Sequence, residues 1–363
     1  MVIIIASVSV ASKEARNRRL ILFSVNFHAI LLSGKFIYIL HYKGYYFNRI
    51  IVYYYYIGFD RYYIKVYNIS SKINGGVRMN KMSKVILPAA AISAAALGGL
   101  VFLTAPGRTF KSQRKVFKGK NYAHRGLHKR SKAIPENSLA AFEAAASYGY
   151  GIELDVQLSK DGQVVVFHDD TLNRVCGVDA RVDEKTYDEL SKMSLCGTEQ
   201  SVPLFTDVLR CVRGRSVLIV ELKNGKRNEE LCQKTYDILK NYSGDFCIES
   251  FNPFIVRWFR KNAPEIVRGQ LASPPEDYEG EVKPVTAFLL GNTLLNFLSR
   301  PQFIAYKIAP KPFPVRFAEA MGAMKFCWTS HEWVNEKEND GVIFEFYKPK
   351  LTYKHRGAIR IRF

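Results

Sequence analysis

Two features of this 363-residue chain predict an α/β protein, a TIM (β/α)8 barrel preceded by a single N-terminal transmembrane helix. From Asn121 to Pro349, short β-rich runs alternate with helical stretches, the pattern of repeated βα units that build a parallel sheet. Before them, Val85 to Thr104 (VILPAAAISAAALGGLVFLT) carries no charge and is long enough to cross the hydrocarbon core of a bilayer, which takes about 20 residues.

The β-rich runs are Tyr122 to Arg125, Ile152 to Leu158, Val164 to His168, Val217 to Leu222, Phe246 to Phe251, Val267 to Leu271, Phe303 to Ile308, Phe326 to Thr329 and Val342 to Phe346. Val164 to His168 reads as a hairpin partner, which leaves eight barrel staves. Helices fit between them, such as Ser138 to Ser147 with Leu139, Phe142 and Ala146 on one face, and Asn228 to Leu239 with Leu231, Tyr236 and Leu239. Eight such units close a barrel in roughly 250 residues, close to the span available.

The remaining segments divide around that domain. Residues 1–78 read as translated upstream sequence or an unstructured leader: Tyr and Ile crowd Tyr45 to Tyr67, acidic residues are nearly absent and no amphipathic period emerges. Translation would then start at Met79 or Met82, the rival reading being a hydrophobic segment around Leu22 to Leu40. Residues 79–104 read as the membrane anchor and 105–120 as a basic linker. Arg108, Lys111, Arg114, Lys115, Lys118 and Lys120 suit a solvated juxtamembrane run near anionic headgroups, and a cleaved signal peptide is not followed by such a run. Their weight favours the cytoplasmic face for the barrel, against Lys81, Lys84 and the amino terminus on the other side. Residues 350–363 form a tail with no assigned role.

The formal net charge of +20 invites a nucleic-acid partner. Residues 1–78 alone hold 11 Lys/Arg against 2 Asp/Glu, and the linker adds more, so no nucleic acid is expected. The six cysteines fall at wide, irregular spacing without a C-x-x-C pair, which argues against zinc. In a domain with a core this large they read as buried free thiols.

Polar residues gather where the strands end, the rim that houses active sites in such barrels. Residues two apart on a strand share a face, so Glu153 and Asp155 point inward together, as do Glu221 and Lys223. Three buried acids at one end need a cation, and oxygen ligands suit Mg²⁺ or Ca²⁺. Arg125 as a fork and Lys223 as a point charge suit the remaining oxygens of a phosphodiester. His124 and His168, on different strands, can divide the proton transfers. His128, His331 and His355 read as surface residues.

Asn121 to Gly126 (NYAHRG), Pro135-Glu136-Asn137-Ser138, Glu153-Leu154-Asp155, Asp161-Gly162 through His168-Asp169, and Glu221-Leu222-Lys223 resemble the signature of the glycerophosphodiester phosphodiesterase family, whose barrel is similar to that of phosphatidylinositol phospholipase C. Ile248 to Pro253 (IESFNP), Arg268-Gly269-Gln270 and Trp328-Thr329 resemble the family's later strand ends. The resemblance implies that Glu153, Asp155 and Glu221 hold the metal, that His124 and His168 are the acid/base pair, and that Arg125 and Lys223 bind phosphate. It gives Glu136 and Asn137 supporting roles, with Glu136 a further ligand, and places Trp328 and Phe251 at the rim near the glycerol or leaving group. It implies hydrolysis of glycerophosphodiesters to sn-glycerol 3-phosphate and an alcohol, by attack of a neighbouring glycerol hydroxyl to give a cyclic phosphate that water opens. The rival expectations are a lysophospholipase D or phospholipase C-like enzyme acting on a lysolipid at the membrane, and a membrane-tethered barrel without catalysis. Two departures are visible: Thr329 to Asp340 is short for a full helix, and Ser138 stands where the family often has Thr, keeping an N-cap hydroxyl.

Overall fold

Runs rich in β-branched and aromatic residues pair into two separate sheets, one antiparallel and one almost wholly parallel. The computed structural model describes residues 2–13, 20–32, 35–44, 47–57, 62–69 and 83–353, with side chains at Ser93 and from Ala95 onward. Residues 1–95 with 359–363 form one unit and residues 96–358 a second.

In the first unit, β1 (Val2–Lys13), β2 (Leu20–Leu32), β3 (Lys35–Gly44), β4 (Phe47–Ile57) and β5 (Tyr62–Ile69) pair antiparallel in chain order. In the segment expected to be translated upstream sequence or an unstructured leader, the Tyr/Ile-rich runs thus take strand form, in keeping with their strand propensity and successive partners. Met79, Met82 and the start site they would mark lie outside the described residues, as does His355.

α1 (Ser83–Thr104) coincides with the expected anchor, yet among the described residues no helix is long and apolar enough to cross a membrane. Its last turn has a packing partner, which the sequence reading did not foresee. Asn296 Nδ2 donates to Thr104 O at 3.4 Å, Arg300 donates to the carbonyls of Phe102 and Ala105, and Phe102 stacks on Phe297 at 5.3 Å.

The basic linker is likewise corrected. Residues 111–117 form α2 (Lys111–Phe117), and Phe117, 4% exposed, joins the apolar filling of the barrel. Arg114 donates to Gly322 O and Lys118 to Asp340 at 2.7 Å. Both partners precede strands, so α2 floors the barrel at its N-terminal end, the face that serves stability in this fold.

The strands of the second unit are β6 (Lys120–Ala123), β7 (Gly151–Leu158), β8 (Val164–Val166), β9 (Leu218–Leu222), β10 (Phe246–Ser250), β11 (Arg268–Ala272), β12 (Phe303–Lys307), β13 (Met324–Ser330) and β14 (Gly341–Phe344). Eight run parallel, and β14 pairs with β6 as β6 pairs with β7, closing the barrel. β8 lies antiparallel on β7, the expected hairpin. Around them lie α3 (Leu139–Tyr148), α4 (Asn173–Cys176), α5 (Tyr187–Leu190), α6 (Phe205–Val212), α7 (Asn228–Leu239), α8 (Pro253–Asn262), α9 (Pro284–Gly291), α10 (Asn296–Ser299) and α11 (Phe313–Ala320). Ser138 caps α3, its hydroxyl accepting from Ala141 N at 3.1 Å, as expected. Between β13 and β14 only a short 3₁₀ turn, Trp333–Lys337, stands in for the helix, in line with the brevity of that segment.

Inward side chains such as Tyr122, Ile219, Cys247, Phe303, Phe326 and Ile343 fill the barrel. Gly269 is required there, since a Cβ would strike the Phe303 ring. A second apolar layer lies between strands and helices, and residues 159–204 carry a small core of their own around Val165, Phe167 and Leu190. After β14 the chain runs back past the floor, where Tyr353 N donates to Gly119 O at 2.9 Å. Beyond Tyr353 the tail lies outside the described residues. All six cysteines are free thiols, though only Cys232, Cys247 and Cys327 are buried.

Candidate active site

β6 ends in a tight turn in which Arg125 takes φ 54° and Gly126 φ 80°, left-handed conformations that a non-glycine residue adopts at a cost. The turn aims Arg125 N at Glu153 Oε2, 2.9 Å away. Asp155, two residues further along β7, stands beside Glu221 of β9 in parallel register. Glu153, Asp155 and Glu221 are buried, and each offers an oxygen within 4.8 Å of the other two. Glu153 Oε1 and Asp155 Oδ1 have no hydrogen-bond partner. Burial and mutual repulsion push the Glu153 carboxyl well above its usual range and raise that of Glu221. Burial raises Asp155 too, but His168, Lys223 and Arg125 outweigh it and keep that carboxyl low. Crowded buried oxygens with unused lone pairs fit a hard divalent cation.

The cations stand against these acids. Lys223 Nζ lies 2.9 Å from Glu221 and 3.5 Å from Asp155, and Arg125 Nε lies 3.7 Å from Asp155. Asn137, also in a left-handed turn, donates to Asp155 at 2.8 Å.

Each histidine is backed by a carboxylate. His124 Nδ1 is 2.6 Å from Glu345, and His168 Nδ1 is 2.6 Å from Asp169. Burial raises both acids, but the histidines beside them, with Arg174 at Asp169, outweigh it and hold both ionised. An ionised carboxylate only accepts, so Nδ1 donates and Nε2 is the nitrogen left for proton transfer. His124 Nε2 lies 3.9 Å from Glu153 Oε2, which places it at the carboxylate cluster.

The profile of the glycerophosphoryl diester phosphodiesterase family matches residues 124–348. The chain belongs to that family. It is 34% identical over 161 residues to a glycerophosphodiester phosphodiesterase of Caldanaerobacter subterraneus, covering 41% of this chain and 65% of that one. It is 32% identical over 165 residues to a lysophospholipase D of Homo sapiens, covering 40% of this chain and 51% of that one. The chain thus spans less than two thirds of either relative. Its fold resembles that of an Oleispira antarctica phosphodiesterase solved with the product sn-glycerol-3-phosphate, with TM-score 0.53 and 24% identity over 64% of this chain and 94% of that one.

Within this family domain, Glu136 stands between two arginines. It is clamped by Arg125 at 2.7 Å and by Arg174 through two contacts of 2.7 Å, and it stands apart from the three grouped carboxylates. It anchors both arginines at the edge of the site. Burial raises its pKa, but Arg174 and Arg125 outweigh it and hold it at about 2, against 4.5 ordinarily. The sign follows: a depressed folded value adds stability above pH 4.5 that is lost as pH falls toward 2. Across that window the melting temperature of Glu136→Gln should fall less than that of the parent, by differential scanning calorimetry. Trp328 Nε1 donates to Ala305 O, and its ring meets Phe251 edge-on at 5.6 Å.

Four participants escaped the sequence reading. Glu345 follows the last strand, at the same rim that yielded the other residues, and it also lies 3.3 Å from His128 Nε2. His128 is therefore no plain surface residue. Arg174 bonds Asp169 and Glu136 together from a short helix with no signal of its own, and Glu249 is treated below. Because Glu345 fixes the tautomer of His124, Glu345→Gln should lower kcat by about 10²-fold, the lower end of a general acid/base contribution, with little change in KM. Steady-state kinetics check this, and a rise in KM alone would rule it out.

Proposed function

We propose that this protein hydrolyses glycerophosphodiesters to sn-glycerol 3-phosphate and an alcohol. The observation that carries the reading is the convergence of three buried carboxylates, two cations and two carboxylate-backed histidines at one end of the barrel. Glu153, Asp155 and Glu221 would hold a divalent ion, Mg²⁺ or Ca²⁺, which when bound adds positive charge at the phosphoryl group. Arg125 and Lys223 orient the phosphate oxygens. Of the two free Nε2 atoms, one takes the proton of the attacking hydroxyl and the other gives a proton to the leaving oxygen. The family resemblance supplies the nucleophile, a neighbouring glycerol hydroxyl, and the cyclic phosphate that water opens.

Glycerol 3-phosphate release from glycerophosphocholine tests the proposal. Turnover should vanish with EDTA and return with Mg²⁺ or Ca²⁺. Silence with every glycerophosphodiester under both conditions removes the reading.

A second reading, hydrolysis of a lysolipid phosphodiester, draws support from the rim. Phe254, Ile308, Phe313, Trp333 and Phe346, each on a segment that follows a barrel strand, are exposed, and an apolar mouth suits an acyl chain. Turnover of lysophosphatidylcholine without turnover of glycerophosphocholine would select it. Attachment of the barrel to a membrane, weighted toward the cytoplasmic face, is a reading of the sequence alone, from the charge-free run Val85 to Thr104 and the basic residues after it, and not of a membrane-crossing helix, since none is found among the described residues. Retention of the protein in alkali-washed membranes tests the anchor.

A further inference from the structure

A fourth acid stands beside the three. Glu249 lies on β10 in parallel register with Glu221, and strand alternation turns it into the barrel as it does Cys247 two residues earlier. It is 1% exposed, and its Oε2 has no hydrogen-bond partner. Arg125 is engaged by Glu136 and Asp155, and Lys223 by Glu221 and Asp155, so the nearby cations are spoken for. Burial, then the charges of Glu221 and Asp155, push its carboxyl well above the usual range.

Such a group weakens the fold, because a buried carboxyl without a partner is costly and an amide or apolar residue of the same shape would cost less. Charge offers the compensating reason. The nearby cations are already paired with other acids, and a divalent ion held by Glu153, Asp155 and Glu221 would give the buried Glu249 carboxylate the positive partner it lacks.

We propose that Glu249 is the fourth carboxylate of the metal centre, acting on the ion by its charge and not as a direct ligand. It stands apart from the three acids whose oxygens lie within 4.8 Å of one another, which is why the contact is indirect. The inference rests on the reading of Glu153, Asp155 and Glu221 as metal ligands. It assigns Glu249 to the affinity for the cation.

Calorimetric titration of the metal-stripped full chain with CaCl₂ and MgCl₂ tests it, beside Glu249→Gln, Glu249→Asp and Glu153→Gln. The dissociation constant of Glu249→Gln should rise about 10-fold or more, the scale of groups just outside a metal's ligands, while Glu249→Asp, which keeps the charge, retains most of the affinity. Without metal, Glu249→Gln should melt higher than the parent, and added Ca²⁺ should raise its melting temperature less. Unchanged affinity in Glu249→Gln alongside lost affinity in Glu153→Gln overturns the inference and leaves the metal centre standing. Equal loss in the Gln and Asp variants, with lowered metal-free melting, marks a packing role and overturns it too. Absence of binding by the parent overturns the centre and the inference together.

Discussion

His124→Ala should lower kcat for glycerophosphocholine by about 10²- to 10⁴-fold, the usual contribution of a positioned general acid or base. The ring is held from one side by Glu345 at 2.6 Å, and its other nitrogen reaches the carboxylate cluster, 3.9 Å from Glu153. Truncation therefore removes the proposed proton carrier and leaves Arg125, Lys223 and the three acids in place. KM should move far less than kcat, and far-ultraviolet circular dichroism should match the parent. His168→Ala should behave alike, and the double variant should fall well short of the product of the two losses, because both histidines serve one reaction. Retention of more than about a tenth of the parent kcat by His124→Ala would remove it from proton transfer, since even the low end of that contribution is 10²-fold.

Phe117→Ala should destabilise the protein by about 3–5 kcal/mol, the range for deleting a buried Phe ring from a packed core. Phe117 is 4% exposed and packs with Tyr122 and Met324 in the barrel interior. Urea denaturation measures this as a lower midpoint with an unchanged slope. A solvated linker would show no effect, so the experiment separates a floor of the barrel from a tether. Val116, beside it, is partly buried against the same core, and its truncation should cost less.

The barrel was legible because its strands are short apolar runs bounded by turns, and the runs from Ile152 to Leu158 and Phe246 to Phe251 coincide with β7 and β10 to within a residue at each end. The acids on β7 and β9 were legible because alternation fixes their face. What stayed hidden depends on partners distant in sequence. In α2, the charges of Lys111, Arg114 and Lys115 gave the segment the look of a solvated run, and Phe117 gains its meaning only from strands that follow it. Glu345 carries no mark until β14 closes on β6 and sets it against His124. Arg174 belongs to a four-residue helix, too short to show a period, and only the folded lobe brings it to Glu136. In α1, composition reports an apolar helix but cannot report that its last turn is tied to Asn296 and Arg300.

The closure of the barrel by its last strand also governs when activity can begin. His124 leaves the ribosome early, whereas Glu345, the carboxylate that orients it, follows 221 residues later. Until β14 docks on β6, the first strand has an open edge and His124 has no fixed tautomer. On the proposed reading, a nascent chain that has brought Glu153, Asp155 and Glu221 together would still lack an oriented His124, so phosphodiester hydrolysis would wait for translation to pass the final strand.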